Sequence, residues 1–124
     1  MSTSAERLPE RVWSATQVRE LERRAIARGL SDYELMCRAG AAALHVLWNR
    51  WPAARSLAIV CGAGNNAGDG LVVARLAHAA GRSVSVLLVV PAERFGGAAA
   101  QAAAACGAAG VPLAAFDAHA LAKA

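Results

Sequence analysis

The stretch Leu57-Ala58-Ile59-Val60-Cys61-Gly62-Ala63-Gly64-Asn65-Asn66-Ala67-Gly68-Asp69-Gly70 decides how the chain is read. Its first five residues form a continuous apolar run, the length of a buried strand and too short for a helix. The glycine-rich segment from Gly62 to Gly70 reads as a loop, and Leu71 to Ala80 then shows helical spacing that stops at Gly81. Strand, glycine loop and helix in that order is where an open α/β sheet places its ligand, at a strand's carboxyl end and facing a helix amino terminus. Glycines let the backbone approach a ligand and aim N–H groups at it. Asn65 and Asn66 add amide oxygens and donors. Asp69 stands at the expected helix start, as N-cap or as a ligand-facing carboxylate. The spacing G-x-G-x-x-x-G is one residue longer than the dinucleotide fingerprint, and no Gly-Lys-Ser/Thr follows, so this is not a Walker A loop. On spacing alone, a ligand loop and a plain tight turn both stay open.

Downstream, Val84 to Val90 is a second apolar strand ended by Pro91. Ala98 to Ala109 is an alanine-rich helix, Val111 to Phe116 starts a third strand, and Asp117 to Ala124 turns helical again. Strands alternating with helices, and apolar on both faces, predict a parallel sheet in an α/β fold. Upstream, two helices are expected. Ser14-Ala15-Thr16-Gln17 and Ser31-Asp32-Tyr33-Glu34 are capping boxes. Val18, Leu21 and Ala25 follow the first, with Gly29 as its stop; Leu35, Ala39, Ala43 and Leu47 line one face of the second, which Pro52 ends. Gly40 inside that helix costs about 1 kcal/mol against alanine. A close backbone approach to a neighbour accounts for it, and simple tolerance does so equally. Residues 1–12 have no period and read as a loose arm. With three strands the sheet is unfinished, so residues 13–124 read as a partial domain whose open edge a partner or further chain covers.

Composition narrows the function. The 124 residues are 56% hydrophobic, but thirty-three are alanine, which buries little area per residue. The core is thin for this length. No apolar run approaches the ~20 residues of a membrane span, and the start has no secretory apolar stretch. The net charge of +4 rests on twelve arginines and one lysine. Six acids are mixed among the nine arginines of residues 1–55, which reads as solvated helix faces and argues against nucleic acid. Cys37, Cys61 and Cys106 are odd in number and widely spaced, which fits a reducing cytoplasm better than a disulfide framework.

Three separated segments carry a family resemblance. Gly62-Ala63-Gly64-Asn65-Asn66-Ala67-Gly68-Asp69-Gly70 resembles the G-x-G-N-N-G-G-D-G signature of the YjeF N-terminal domain family, the NAD(P)H-hydrate epimerases. Ser14 to Arg23 looks like that family's first helix. Glu34-Leu35-Met36-Cys37-Arg38-Ala39-Gly40 looks like its second, usually E-L-M-x-x-A-G. The resemblance implies a Rossmann-like three-layer α/β/α sandwich, here truncated and preceded by two helices. It implies epimerisation of the R and S hydrates of NADH and NADPH (NAD(P)HX), a cytoplasmic nucleotide-repair reaction. It also implies a potassium ion beside the substrate, a homodimer, and an ADP- or ATP-dependent dehydratase as fused or separate partner. Carried over by position, Asn65, Asn66, Ala67, Gly68 and Asp69 line the substrate and the Asn66 side chain is a potassium ligand. Ala67 departs from the family's glycine, a strain if that position has φ > 0 and harmless otherwise. The family's later D-A-L-F-G-T-G-like and D-I-P-S-G-like motifs have no counterpart in this chain. With them go the remaining potassium ligands, a phosphate loop and the catalytic aspartate.

Two alternatives stand beside the epimerase. Similar domains serve as non-catalytic, RNA-binding dimerisation scaffolds, though a scaffold need not keep Asn-Asn-x-Gly-Asp. A half-domain binding the unmodified redox cofactor fits the loop less well, with Glu93 as a weak counterpart of the ribose-binding acid. Cys61 reads as a small core residue, Trp48 and Trp51 as packing, Arg75 as a surface cation. His45, His78 and His119 lack metal-ligand spacing.

Overall fold

In the computed structural model, residues 13–123 are described, and the arm expected at residues 1–12 lies outside them. The chain divides into two units, the first ending at Leu30 and the second starting at Ser31. The first holds helix α1, Ala15–Ala27. Its capping box is complete: Ser14 Oγ accepts from the Gln17 amide at 3.1 Å, and Gln17 Oε1 accepts from the Ser14 amide at 2.7 Å. The Gly29 amide donates to the Ile26 carbonyl and the Leu30 amide to the Ala25 carbonyl, with Gly29 at φ 102°. That paired closure is the Schellman motif, and its left-handed residue favours glycine. None of α1 is buried; the apolar residues expected along it, Val18 and Leu21, are exposed.

The second unit begins with α2, Asp32–Arg50, where Ser31 Oγ accepts from the Glu34 amide at 3.0 Å. The buried face is Met36, Gly40 and Leu44, whereas Ala39 and Ala43 of the expected face are exposed. The buried face is rotated by one residue from the expected one. The face is centred where Gly40 lets α3 come close: a Cβ on Gly40 would meet Val72 Cγ1 at 2.5 Å.

Strands β1 (Ser56–Cys61), β2 (Ser83–Leu88) and β3 (Leu113–Ala115) form a parallel sheet in the order β1-β2-β3. Cys61 pairs with Leu88, and Leu88 with Ala115, so the three carboxyl ends lie in step. β2 ends two residues before the expected Val90. The crossovers are α3 (Asn65–Ala79) and α4 (Gly97–Ala108), with α5 (Ala118–Lys123) after β3. Gly81 and Gly110 close α3 and α4 by the same paired bonds seen at Gly29.

Helices α2, α3 and α4 pack on one another, and α3 lies on the Ile59 and Cys61 side of the sheet. Between them sits a core of Leu71, Val72, Val86, Cys61 and Cys106. Alanine makes the α3–α4 contact possible: Ala74, Ala77, Ala99 and Ala102 are all buried. The other sheet face is sparser. Ser85, Leu87, Ala114, Ala120 and Lys123 line a shallow cavity of about 240 Å³ there, which sets α5 beside that face. Val60 is 47% exposed and Ala58 is exposed, so β1 is not buried on both sides as its sequence suggests.

Candidate functional site

The glycine segment is shorter, and the helix longer, than the sequence implies. α3 begins at Asn65, so the loop is only Gly62-Ala63-Gly64. Asp69 is therefore not the N-cap; Gly64 holds that position, with φ 83° and ψ −167° and no side-chain cap. This backbone region is essentially reserved for glycine. The Ala67 amide reaches back to the Gly64 carbonyl at 3.2 Å. What remains at the carboxyl end of β1 is the amino end of a 15-residue helix, with the positive end of its dipole and a glycine N-cap that makes no side-chain cap bond.

The five expected ligand residues divide by helix geometry. Asn65 and Asn66 are exposed on the first turn, and Asp69 is half-buried one turn on. At spacings of four and three, Asp69 shares a face with both asparagines. Ala67 and Gly68 turn the other way, into the core. Ala67 is 2% exposed, and a Cβ on Gly68 would meet Met36 Cε and Sδ at 2.4 Å. Ala67 is helical and no non-glycine residue described has positive φ, so the departure from the family's glycine carries no strain. The structure thus brings together Asn65, Asn66, Asp69 and the loop backbone. Ala67 and Gly68 seat the helix against α2 and α4.

The thiols near the site are structural. Cys61 is 1% exposed, and burial, then the neighbouring Cys106, pushes its pKa up to about 11. Cys106 is raised as well, by burial, with Arg75 pulling the other way; its thiol donates to the Leu71 carbonyl at 3.1 Å. Neither supplies a thiolate near neutral pH. Arg75 is not the surface cation expected. It is half-buried, and its guanidinium lies 4.0 Å from Cys37 Sγ across the α2–α3 contact. Tyr33 joins them; burial is the main cause of its raised pKa, followed by Cys37. This cluster ties α3 to α2 and left no periodic signal, because Arg75 lies 38 residues from Cys37. Trp48 is half-buried under the Arg82 guanidinium at 4.8 Å, whereas Trp51 is 59% exposed.

Among the described residues no cluster of three His, Cys, Asp or Glu is placed to hold a metal. Asn66 offers one amide oxygen and Asp69 one carboxylate on the same face. Those are hard oxygen donors, suited to a hard cation, but only a part of its shell. The helix's positive end opposes a cation, and the Asp69 charge offsets it.

A parallel α/β sheet with a glycine loop feeding a helix amino end is the Rossmann-like class of ligand-binding fold. Residues 32–124 match the family described as YjeF-related protein N-terminus, and the chain belongs to that family. It is 54% identical over 100 residues to a bifunctional NAD(P)H-hydrate repair enzyme Nnr of Coxiella burnetii, covering 81% of this chain and 20% of that protein. It is 44% identical over 92 residues to an NAD(P)H-hydrate epimerase of Rhodobacter capsulatus, covering 68% of this chain and 43% of that one. The crystal structure of yeast ynu0 shares the fold with a TM-score of 0.73 at 24% identity, over 86% of this chain and 48% of that one. The chain thus spans less than half the length of these relatives.

Proposed function

We propose that residues 13–124 form the first half of an NAD(P)H-hydrate epimerase domain and hold one side of the hydrated dinucleotide during interconversion of its R and S forms. The observation that carries this reading is the placement of exposed Asn65 and Asn66 and half-buried Asp69 on one face of α3, at a helix start whose N-cap is a glycine. Amides at the positive end of a helix suit the diphosphate of a dinucleotide. The asparagine amides and the Asp69 carboxylate suit hydroxyl and carboxamide groups of the hydrated ring. The printed names of the Coxiella burnetii and Rhodobacter capsulatus relatives support the same substrate.

Inverting a carbinol carbon needs a general acid/base at that carbon. Beyond the first two helices the chain's carboxylates are Asp69, Glu93 and Asp117. Asp69 is on the substrate face; Glu93 and Asp117 follow other strands, and Asp117 Oδ1 accepts from the Ala120 amide at 2.6 Å. On this reading the acid/base comes from the part of the domain that the relatives have beyond the matched segment. A potassium ion there would neutralise charge beside the substrate, with the Asn66 oxygen as one ligand. The working protein is a homodimer in the cytoplasm, joined to or paired with a dehydratase, as the bifunctional names of relatives suggest. No described helix is long and apolar enough to cross a membrane.

Binding by the 124-residue chain discriminates the readings. Calorimetry with purified R and S hydrates, unmodified NADPH and single-stranded RNA is expected to show the hydrates binding best and RNA not at all. RNA binding without hydrate binding contradicts the proposal in favour of a scaffold.

A further inference from the structure

We infer that the open edge of β1 is taken by a second copy of this chain, the two β1 strands pairing antiparallel about a two-fold axis at Ala58. Three observations carry it. The first is the direction of the free backbone groups. β1 has β2 on one side only. The Arg55 carbonyl accepts from the Ser83 amide and the Cys61 carbonyl from the Val89 amide, each at 2.9 Å. Backbone groups alternate along a strand, so Leu57 and Ile59 also turn theirs toward β2, and Ser56, Ala58 and Val60 aim theirs at the open edge. Among the described residues no strand answers them. The second is a groove of about 240 Å³ beside that edge, lined by Leu47, Trp51, Leu57, Ile59 and Val73. The third is that Ser56–Cys61 carries no charge, so nothing on the strand repels a copy of itself.

The edge is complementary to itself. In an antiparallel pair, opposed residues exchange two hydrogen bonds at every second position. An axis at Ala58 sets Ala58 opposite the partner's Ala58 and Ser56 opposite the partner's Val60, which pairs every outward group of both strands. Any other such register leaves Ser56 or Val60 beyond the end of the partner strand. Leu57 then stands opposite the partner's Ile59 on the α3 side, an apolar cross-strand pair next to the groove that Trp51 walls. Arg55 falls opposite the partner's Cys61, so the two Arg55 side chains start about 20 Å apart, beyond a screening length of ~8 Å. The sheet's other edge, β3, has three residues and is too short to template a strand, so pairing closes at two copies. Paired strips about 20 Å long bury less than the roughly 1,200 Å² of a stable interface, which makes the dimer a weak one, in the micromolar range.

The test is sedimentation of the 124-residue chain from about 1 to about 500 μM, a range that brackets weak association. A monomer–dimer equilibrium with no larger species is expected. Ala58→Lys and Ala58→Glu change an exposed residue and set like charges opposite each other at the axis. Each variant alone should stay monomeric, and an equimolar mixture of the two should recover the dimer. In the unsubstituted chain, amide exchange at Ser56, Ala58 and Val60 should slow as concentration rises, more than at Leu57 and Ile59, which β2 already holds. A chain that is monomeric throughout leaves the edge to some other strand and overturns the inference. A dimer that both variants retain lies on another surface and overturns it too, as do folded variants that never recombine. Should the variants fail to fold, the exchange pattern decides, and protection at Ser56, Ala58 and Val60 that ignores concentration overturns the pairing. None of these failures touches the substrate reading, which calorimetry with the hydrates tests separately.

Discussion

Gly40 and Gly68 show how single residues set the position of α3. Each faces another helix with no room for a methyl group, Gly40 against Val72 and Gly68 against the end of Met36. The difference lies in the neighbour. The Met36 thioether is flexible and yields, which leaves Gly68 only the tight 3.2 Å approach of the Ala99 Cα, but Val72 is β-branched, 1% exposed and fixed. Gly40→Ala is therefore expected to destabilise the chain by ~1–3 kcal/mol from overpacking, against a helix-propensity gain of about 1 kcal/mol. Val72→Ala in the same chain should recover part of the loss, and urea unfolding of the four combinations measures the coupling. Cys61 makes a second claim at this scale. Its thiol ionises near 9 when unfolded and only near 11 when buried. Between those values the unfolded chain has lost the proton that the folded chain keeps, so stability falls as pH rises from about 9 to about 11. Below pH 9 the contribution is constant. Urea midpoints measured across pH 7–11 should show this decline, and Cys61→Ala should lessen it, while Cys106 and Tyr33, which are raised as well, keep part of it.

Within elements, the sequence was most legible where a local rule acts alone. Both helix starts carry their Ser caps, and Gly29 and Gly81 end helices by a backbone conformation that glycine favours. It was least legible where a partner element decides. The rotation of α2's buried face follows from the fit of Gly40 on Val72, 32 positions away in the chain, which no period within α2 records. The start of α3 was hidden because three of its first six residues are Gly68, Gly70 and Asp69, all poor helix formers. Packing on Met36 and on Cys61 holds them in the helix. With Gly64 as N-cap, Asp69 lies one turn inside α3 and not at its start. In a completed domain, Asn66→Ala is expected to weaken potassium dependence and substrate binding together. Asp69→Ala should cost more, because it removes the carboxylate that shares a face with both asparagines. Steady-state kinetics over a potassium series, with urea midpoints as the fold control, checks both.

For the whole molecule, the parallel sheet was readable from alternation of strands and helices, and the family from three ordered segments. How the sheet faces are covered was not. β1 reads as a strand buried on both sides, yet Ala58 and Val60 are exposed among the described residues. Its edge also lacks the charge, proline or bulge that protects a free edge. On the proposed function, the 124-residue chain by itself binds the hydrate weakly and leaves its R/S ratio to the spontaneous rate. Chromatography of hydrate incubated with the chain alone reads this out, and fast, potassium-stimulated equilibration would place the acid/base within this chain. The central claim is that Asn65, Asn66 and Asp69 on α3 hold the substrate of an epimerase. Its most direct test is a chimera of the Coxiella burnetii relative in which the matched segment is replaced by the one from this chain. Interconversion of the purified R and S hydrates is followed by chromatography. The account predicts equilibration well above the spontaneous rate, lost in the chimera carrying both Asn66→Ala and Asp69→Ala while the fold is retained. A folded chimera that never equilibrates the hydrates, or one whose rate ignores both substitutions, contradicts it.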